Sequence, residues 1–381
     1  MPFTDAKPIE TLFENARWLL QSLVVSLLAC FGFSCAPAIW FNTDVQLPPA
    51  YELKASSPLA DTSQLTVPEN AGERSHGAKL TPRLVGSILL YASVQVGWHP
   101  YFASTLGGAC VLLSGLCVGY RLTQDRYTAV MVSLVLAGSY VSNACFSINH
   151  TAKPFDGIAL GLLALAAVSI PKPLMLSLFC FLACWTDERS MVSMAMLAVV
   201  IWLDRQLDSA TKKYGTICLL VTAMAYFLTR IVAAKVLGWS SPDMSLLGEH
   251  LGISLCYWQV ALWSLGDGLL LLIAVGTFGA WRDGDFMRAF IPWLAVAFAV
   301  ASSLLVLDLS RATAFAFPLL FVAVTLIHTH WGKTADAMRM ISTLAALLSV
   351  MSNNVEVITS IAYTPLPSSP ISLLYQFWLN Q

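Results

Sequence analysis

The apolar residues of this chain come in blocks, and the blocks set what it can fold into. They fall at 17–41, 83–97, 103–120, 128–147, 156–170, 174–186, 190–203, 214–238, 255–281, 288–307, 312–329 and 340–352. Between them lie short connections that hold most of the charge. Only 11% of the 381 residues are charged and 57% are apolar, whereas a soluble domain carries roughly 25% charged residues. The mean hydropathy is +0.69. Blocks of this length bury in lipid as helices. The predicted fold class is therefore all-α: a polytopic integral membrane protein of about 11–13 helices, some short or broken. The longest polar stretch, Asn42–Pro82, has 41 residues, so residues 1–381 read as one integral membrane domain. Within Asn42–Pro82 the prolines predict turns and one short amphipathic helix.

Charge then orients the blocks. Alternate connections 121–127, 171–173, 204–213, 282–288 and 330–339 hold ten Lys and Arg; those at 98–102, 148–155, 187–189, 235–254 and 308–311 hold four. The richer set is cytoplasmic by the positive-inside rule. Arg83 and Lys79 at the start of 83–97 would send that block outward, leaving 42–82 inside and the N-terminus outside. An N-terminus inside would instead put 42–82 outside and break the alternation, unless that loop dips back into the membrane. The run Trp18–Phe41 is too long for a secretory signal core and reads as a retained span. Beyond Asn353, Pro365, Pro367 and Pro370 argue against one long helix. A net charge of −1 gives no reason to expect a nucleic-acid partner. The nine cysteines lie in or beside apolar blocks; Cys180 and Cys184, one helical turn apart, read as small packing residues, and no metal ligand set is predicted.

The chemically capable residues gather in the second set of connections. His99 lies in Trp98–Tyr101. His150, Lys153 and Asp156 lie in Asn149–Gly157. Asp187, Glu188 and Arg189 are three consecutive charges between two apolar runs. Asp243, Glu249 and His250 occupy the longest of these connections, and Asp308 and Arg311 the last. Blocks 156–170, 174–186 and 190–203 have only 15, 13 and 14 residues. At about 1.5 Å per residue they fall short of ~30 Å of hydrocarbon, so Asp156 and Asp187–Arg189 are expected on the floor of an outward polar cleft. Asp187, Glu188 and Arg189 cannot all point one way. Two further charges sit inside blocks: Arg230 within Ala225–Ala234, and Asp267 within 255–281. An ion pair between them is the expected arrangement. His328 and His330 lie at the cytoplasmic end and are expected to lack nearby carboxylate or cysteine partners.

Carboxylates beside arginines at a membrane surface suit group transfer from a phosphate-linked donor. Asp187, Asp156 or Glu188 would be the base. Arg189, Arg311 and Lys153, with Asp308, His150 and His99 around them, would bind the substrate. The layout, with Phe155-Asp156-Gly157-Ile158-Ala159-Leu160-Gly161 and Thr186-Asp187-Glu188-Arg189, resembles the GT-C class of polytopic membrane glycosyltransferases. The resemblance implies a polyprenyl-phosphate-linked donor used at the outer face of a bacterial inner (plasma) membrane, with membrane lipids as partners and no cofactor specified. It also implies a catalytic acid in a large outer loop after the first span; Asp44, Glu52 and Asp61 would be the candidates, although the charge count places that loop inside. Two other readings stand beside it. One is a transporter or flippase of an envelope precursor. The other is an accessory subunit of an envelope-polymer assembly in which the charges are structural. Blocks 103–120, 128–147 and 288–307 hold no charge away from their ends, which favours an enzyme at one face over a path through the membrane.

Overall fold

The computed structural model describes residues 7–34, 47, 49–62, 80–146, 154–239, 255, 258–305, 309–332, 334–351, 355–358 and 362–365. Among them the chain is helical apart from one antiparallel hairpin, β1 (Val355–Ile358) with β2 (Ala362–Pro365), in which Val355 faces Pro365 and Ile358 faces Ala362. Four helices are long and apolar enough to cross a membrane: α1 (Lys7–Ala29, continued by a π-helical turn), α4 (Phe102–Thr123), α10 (Ser209–Leu237) and α13 (Phe286–Ser303). A bent pair, α5 (Arg126–Ala137) and α6 (Tyr140–Phe146), makes a fifth, with a 65° bend at Gly138-Ser139. These features are compatible with an α-helical membrane protein.

The helix ends are written locally. Gln124 takes a left-handed conformation (φ 55°) and stops α4, and the Asp125 side chain then accepts the Thr128 N–H to start α5. Asp208 and Asp285 cap α10 and α13 in the same way. Pro154 and Pro173 open α7 (Pro154–Val168) and α8 (Pro173–Cys184), where the missing N–H costs nothing. The remaining elements are α2 (Pro49–Ser56), α3 (Leu84–Gln95), α9 (Ser190–Leu203), α11 (Trp258–Trp263), α12 (Asp267–Arg282), α14 (Leu309–Ala314), α15 (Leu319–Trp331) and α16 (Ala335–Met351).

Cross-links between helices define two ends. At one end Arg121 meets Asp204 (3.4 Å), Arg339 meets Asp125 (2.9 Å) and His330 Nδ1 shares a hydrogen bond with Asp283 (2.8 Å). The last of these corrects the expectation that the 328–330 histidines lack a carboxylate. At the other end, called here the charged end, Arg83, Asp156, Asp187 and Arg311 come together.

Three readings of the blocks change. First, Arg83 at the start of α3 pairs with Asp187, so 83–97 begins at the charged end. Its last turn, Val94 and Gln95, shares a cavity with α2 and with Pro100, just before α4 begins. The 12-residue α3 therefore stays at that end and does not traverse the bundle. Secondly, α1 enters from the opposite end: Arg126 donates to Asn15 and lies over the Trp18 ring. The described part of 42–82 thus belongs to the charged end, and the alternation of later connections survives because α3 is not a crossing. Thirdly, block 255–281 is not one helix. It breaks at Ser264–Gly266, where Gly266 takes φ +95°.

The bundle is tightest where α4 meets α7. A Cβ at Gly107 would overlap the Gly157 carbonyl, and one at Gly161 would overlap the Gly107 backbone. Gly157-x-x-x-Gly161 is thus a small-residue stripe that lets two backbones touch. This approach brings Asp156, the residue before Gly157, into the interior. A separate apolar cluster, Tyr51, Ala55, Leu80, Leu90, Phe155 and Ile158, seats α2 and α3 over the start of α7.

Candidate functional site

Six charged side chains form one continuous chain at the charged end. Arg189 folds back on its own turn: its Nε donates to Asp187 Oδ1 (2.8 Å) and its Nη2 to Asp187 Oδ2 and Asp156 Oδ1 (2.7 Å each). Arg311, from α14, donates through Nε to Asp156 Oδ2 (2.7 Å) and through Nη2 to Asp156 Oδ1 (3.1 Å). Arg83 Nη1 lies 2.8 Å from Asp187 Oδ2, and Arg83 Nη2 donates to Glu188 Oε1 (3.2 Å). The order is Glu188, Arg83, Asp187, Arg189, Asp156, Arg311. Among the described residues this chain holds three carboxylates and three guanidiniums. The two aspartates are fully buried, while the Glu188 side chain is 32% exposed and forms the open end.

Each member is placed by its helix terminus. Asp156 sits in the first turn of α7. The turn between α8 and α9 carries Asp187, Glu188 and Arg189 in three directions: inward, sideways to Arg83, and back onto Asp187. Phe315, in the break between α14 and α15, lies 4.8 Å under the Arg189 guanidinium, and Ser193 Oγ donates to the Phe315 carbonyl. Burial alone would raise the Asp187 carboxyl; the guanidiniums of Arg189 and Arg83 outweigh it and hold it below the usual carboxylate range.

α2 roofs this chain. The Tyr51 ring packs against Phe155 (centroids 5.0 Å apart), and its buried hydroxyl, in the fields of Arg83, Arg311, Asp156 and Asp187, has no hydrogen-bond partner among the described residues. Burial raises its phenol. Tyr101, before α4, is pushed up to about 12 by burial, with Asp156 adding to it. Lys54 Nζ donates to the carbonyls of Pro58 (3.0 Å) and Thr81 (2.9 Å), while Asp61 accepts from Thr81 Oγ1 (3.0 Å). The other face of α2 borders a cavity of about 750 Å³ lined by Leu47, Pro49, Glu52, Ala55, Ser56, Val94, Gln95 and Pro100. Glu52 is exposed there.

The structure thus brings together Asp156, Asp187, Glu188, Arg189 and Arg311, as the sequence predicts, and adds Arg83 and Tyr51, which the sequence reading did not assign. In the sequence Arg83 stands as a charge at the edge of an apolar block, a signal of orientation that does not point to a site. His99 lies at the same end with its Nδ1 accepting the Tyr101 N–H (3.2 Å). The Arg230–Asp267 pair does not form. Arg230 Nη1 donates to Tyr226 Oη (2.6 Å), one turn away on its own helix, and Asp267 opens α12 after the break. The pairing assumed one unbroken helix over 255–281. His150, Lys153, Asp308, Asp44, Asp243, Glu249 and His250 lie outside the described residues. Among the described residues no group of three or more His, Cys, Asp or Glu is placed to hold a metal ion.

Chemically, the chain of charges is a frame. Both oxygens of Asp156 and of Asp187 already accept from guanidiniums. A general base needs a lone pair within reach of the substrate proton; these two carboxylates are fully buried and spend most of theirs on guanidiniums. Glu52 is under neither constraint. It takes no hydrogen bond or ion pair among the described residues, and it borders open space. Neither family models, curated proteins nor solved structures match this chain.

Proposed function

We propose that the chain is a multi-pass protein of the cell's inner (plasma) membrane that transfers a sugar or related group from a polyprenyl-phosphate-linked donor at the charged end. In this reading it crosses eleven times, through α1, α4, α5–α6, α7, α8, α9, α10, α11–α12, α13, α14–α15 and α16. Glu52 is the base that takes the acceptor's proton, in the cavity on the face of α2 turned away from the chain of charges. The chain from Glu188 to Arg311 holds α3, α7, the α8–α9 turn and α14 in register, and α2 is seated on α3 and α7 through the Tyr51 and Phe155 cluster. Asp156 and Asp187 act as positioning residues.

The observation that supports this reading is the place of α2. The segment after the first long helix lies at the same end as the arginines, with an acid facing a ligand-sized cavity. A likeness to GT-C enzymes asks for an acid there, and the charge count alone had denied it. The transporter reading fares worse. The breaks at 138–139, 264–266 and 315–318 all border one void, lined by Ser139, Ser264, Thr313 and Phe317 among others, of about 10 Å³. That is room for about one water. Irregular backbone at membrane depth is tolerated when protein buries it, and no passage is needed to explain it.

The test pairs native mass spectrometry with a transfer assay. Wild-type protein should co-purify with a polyprenyl-phosphate lipid, and proteoliposomes should move labelled sugar from that donor to an acceptor. Glu52→Gln should retain the lipid and the melting temperature while transfer falls by about 10²–10⁴-fold. Full transfer by Glu52→Gln removes Glu52 as base. A wild-type protein that neither retains such a lipid nor transfers removes the enzyme reading.

A further inference from the structure

Below the α8–α9 turn, three sulfurs converge. Cys184 Sγ lies 3.6 Å from Met191 Sδ and 3.5 Å from Met194 Sδ. Cys184 closes α8; Met191 and Met194 are on the first turns of α9, three residues apart and so on one face. Cys184 and Met194 are buried, and Met191 is half-buried. A single S–H cannot point at both thioethers, so at least one of the two contacts holds no proton. Simple packing accounts for sulfurs in a core. It does not require two thioethers to close on one thiol.

We propose that Cys184, Met191 and Met194 bind a soft monovalent cation of the Cu(I) class. Three sulfurs bonded at ~2.3 Å to a common ion stand about 4 Å apart, so the two Cys184 distances, 3.6 and 3.5 Å, need only a small outward shift. Thiolate and thioether donors select Cu(I) over harder divalent ions. Charge gives the same selection. One thiolate and one monovalent cation make a neutral unit, whereas a divalent ion would leave a net charge in an apolar interior. On binding, the Cys184 S–H bond breaks, an S–Cu bond forms and the proton leaves to solvent; no electron is transferred. Glu188, half-exposed at the rim, stands one helical turn before half-buried Met191, whose N–H donates to the Glu188 carbonyl (3.1 Å).

The experiment is an anaerobic titration of the purified full chain in detergent with Cu(I), buffered by a chromogenic chelator, together with copper X-ray absorption. Wild type should take one tightly held equivalent in an all-sulfur, three-coordinate shell, with affinity rising about tenfold per pH unit as the thiol proton is released. Met191→Leu/Met194→Leu keeps volume and shape. It should melt like wild type without copper, lose that equivalent or weaken it at least tenfold, and no longer be stabilised by Cu(I). Cys180→Ala, which removes the neighbouring buried thiol, should retain it. Uptake by the double variant equal to wild type in number and affinity, or a wild-type shell containing nitrogen or oxygen, overturns the proposal.

Discussion

Asp156 accepts from two guanidiniums delivered by different helices, and that fixes what its removal does. Asp156→Asn takes away a buried carboxylate that both Arg189 and Arg311 hold, while Arg189 keeps Asp187. Losing one partner of a buried pair costs about 3–5 kcal/mol. The variant should therefore unfold in detergent at lower temperature and lower denaturant, with any lost activity following lost protein. Glu188→Gln, at the exposed end of the same chain, should cost under about 1 kcal/mol. A catalytic Asp156 gives the reverse pattern, a stable and inactive Asp156→Asn, and unfolding curves of the two variants separate the cases. The need for pairing was legible in the sequence, because charges inside apolar blocks rarely stand alone. The partners were not. Arg230 and Asp267 looked matched by depth, yet Arg230 found a tyrosine hydroxyl one turn away. A residue's depth along its block says nothing about which face of the helix it occupies.

At the level of elements, short apolar stretches mislead most. Block 83–97 has the composition of a span, but α3 is anchored at its first residue by Arg83 and stays with α2. Gly157 and Gly161 were readable as a motif, yet only packing shows that their partner is Gly107 of α4. Gly161→Leu should push α7 off α4 and cost at the upper end of about 1–3 kcal/mol. The same shift should pull Asp156 from its arginines, so thermal unfolding of Gly161→Leu and of Gly161→Leu/Asp156→Asn should show less than additive losses. Additive losses would mean that α7 does not set the position of Asp156. The roof makes a separate prediction. Burial lowers Lys54 to about 8, with Asp61 opposing. Its ordinary value is 10.5, so the undocked roof holds the proton longer. Docking of α2 should therefore strengthen as pH rises from 8 to 10.5, by at most about 1.4 kcal/mol per pH unit, and should be flat below 8. Hydrogen exchange of the α2 amides reads this directly. Lys54→Met should remove the slope; a slope that survives it belongs to another group.

For the whole molecule, the charge count and the helix order agree once α3 is taken out of the crossings. The positive-inside rule reads alternate connections and assumes that every apolar block crosses. One block that does not cross inverts the expected side of everything before it and of nothing after it, so in the proposed orientation only the N-terminal part changes side. The proposed membrane orientation then puts both the N-terminus and the 204–213 connection in the cytoplasm, and α2 outside with the arginine frame. Ser57 and Lys213 are both exposed and lie at opposite ends. On intact cells, a charged, membrane-impermeant maleimide should label Ser57→Cys well above the level set by the native thiols. It should label Lys213→Cys only after the membrane is opened. Labelling of both from one side would break the antiparallel order of the helices. Labelling of Lys213→Cys alone would turn the molecule over, placing the charged end and the cavity beside Glu52 in the cytoplasm. A donor presented at the outer leaflet could then not reach that cavity, and the group-transfer reading would have to be recast around a cytoplasmic substrate.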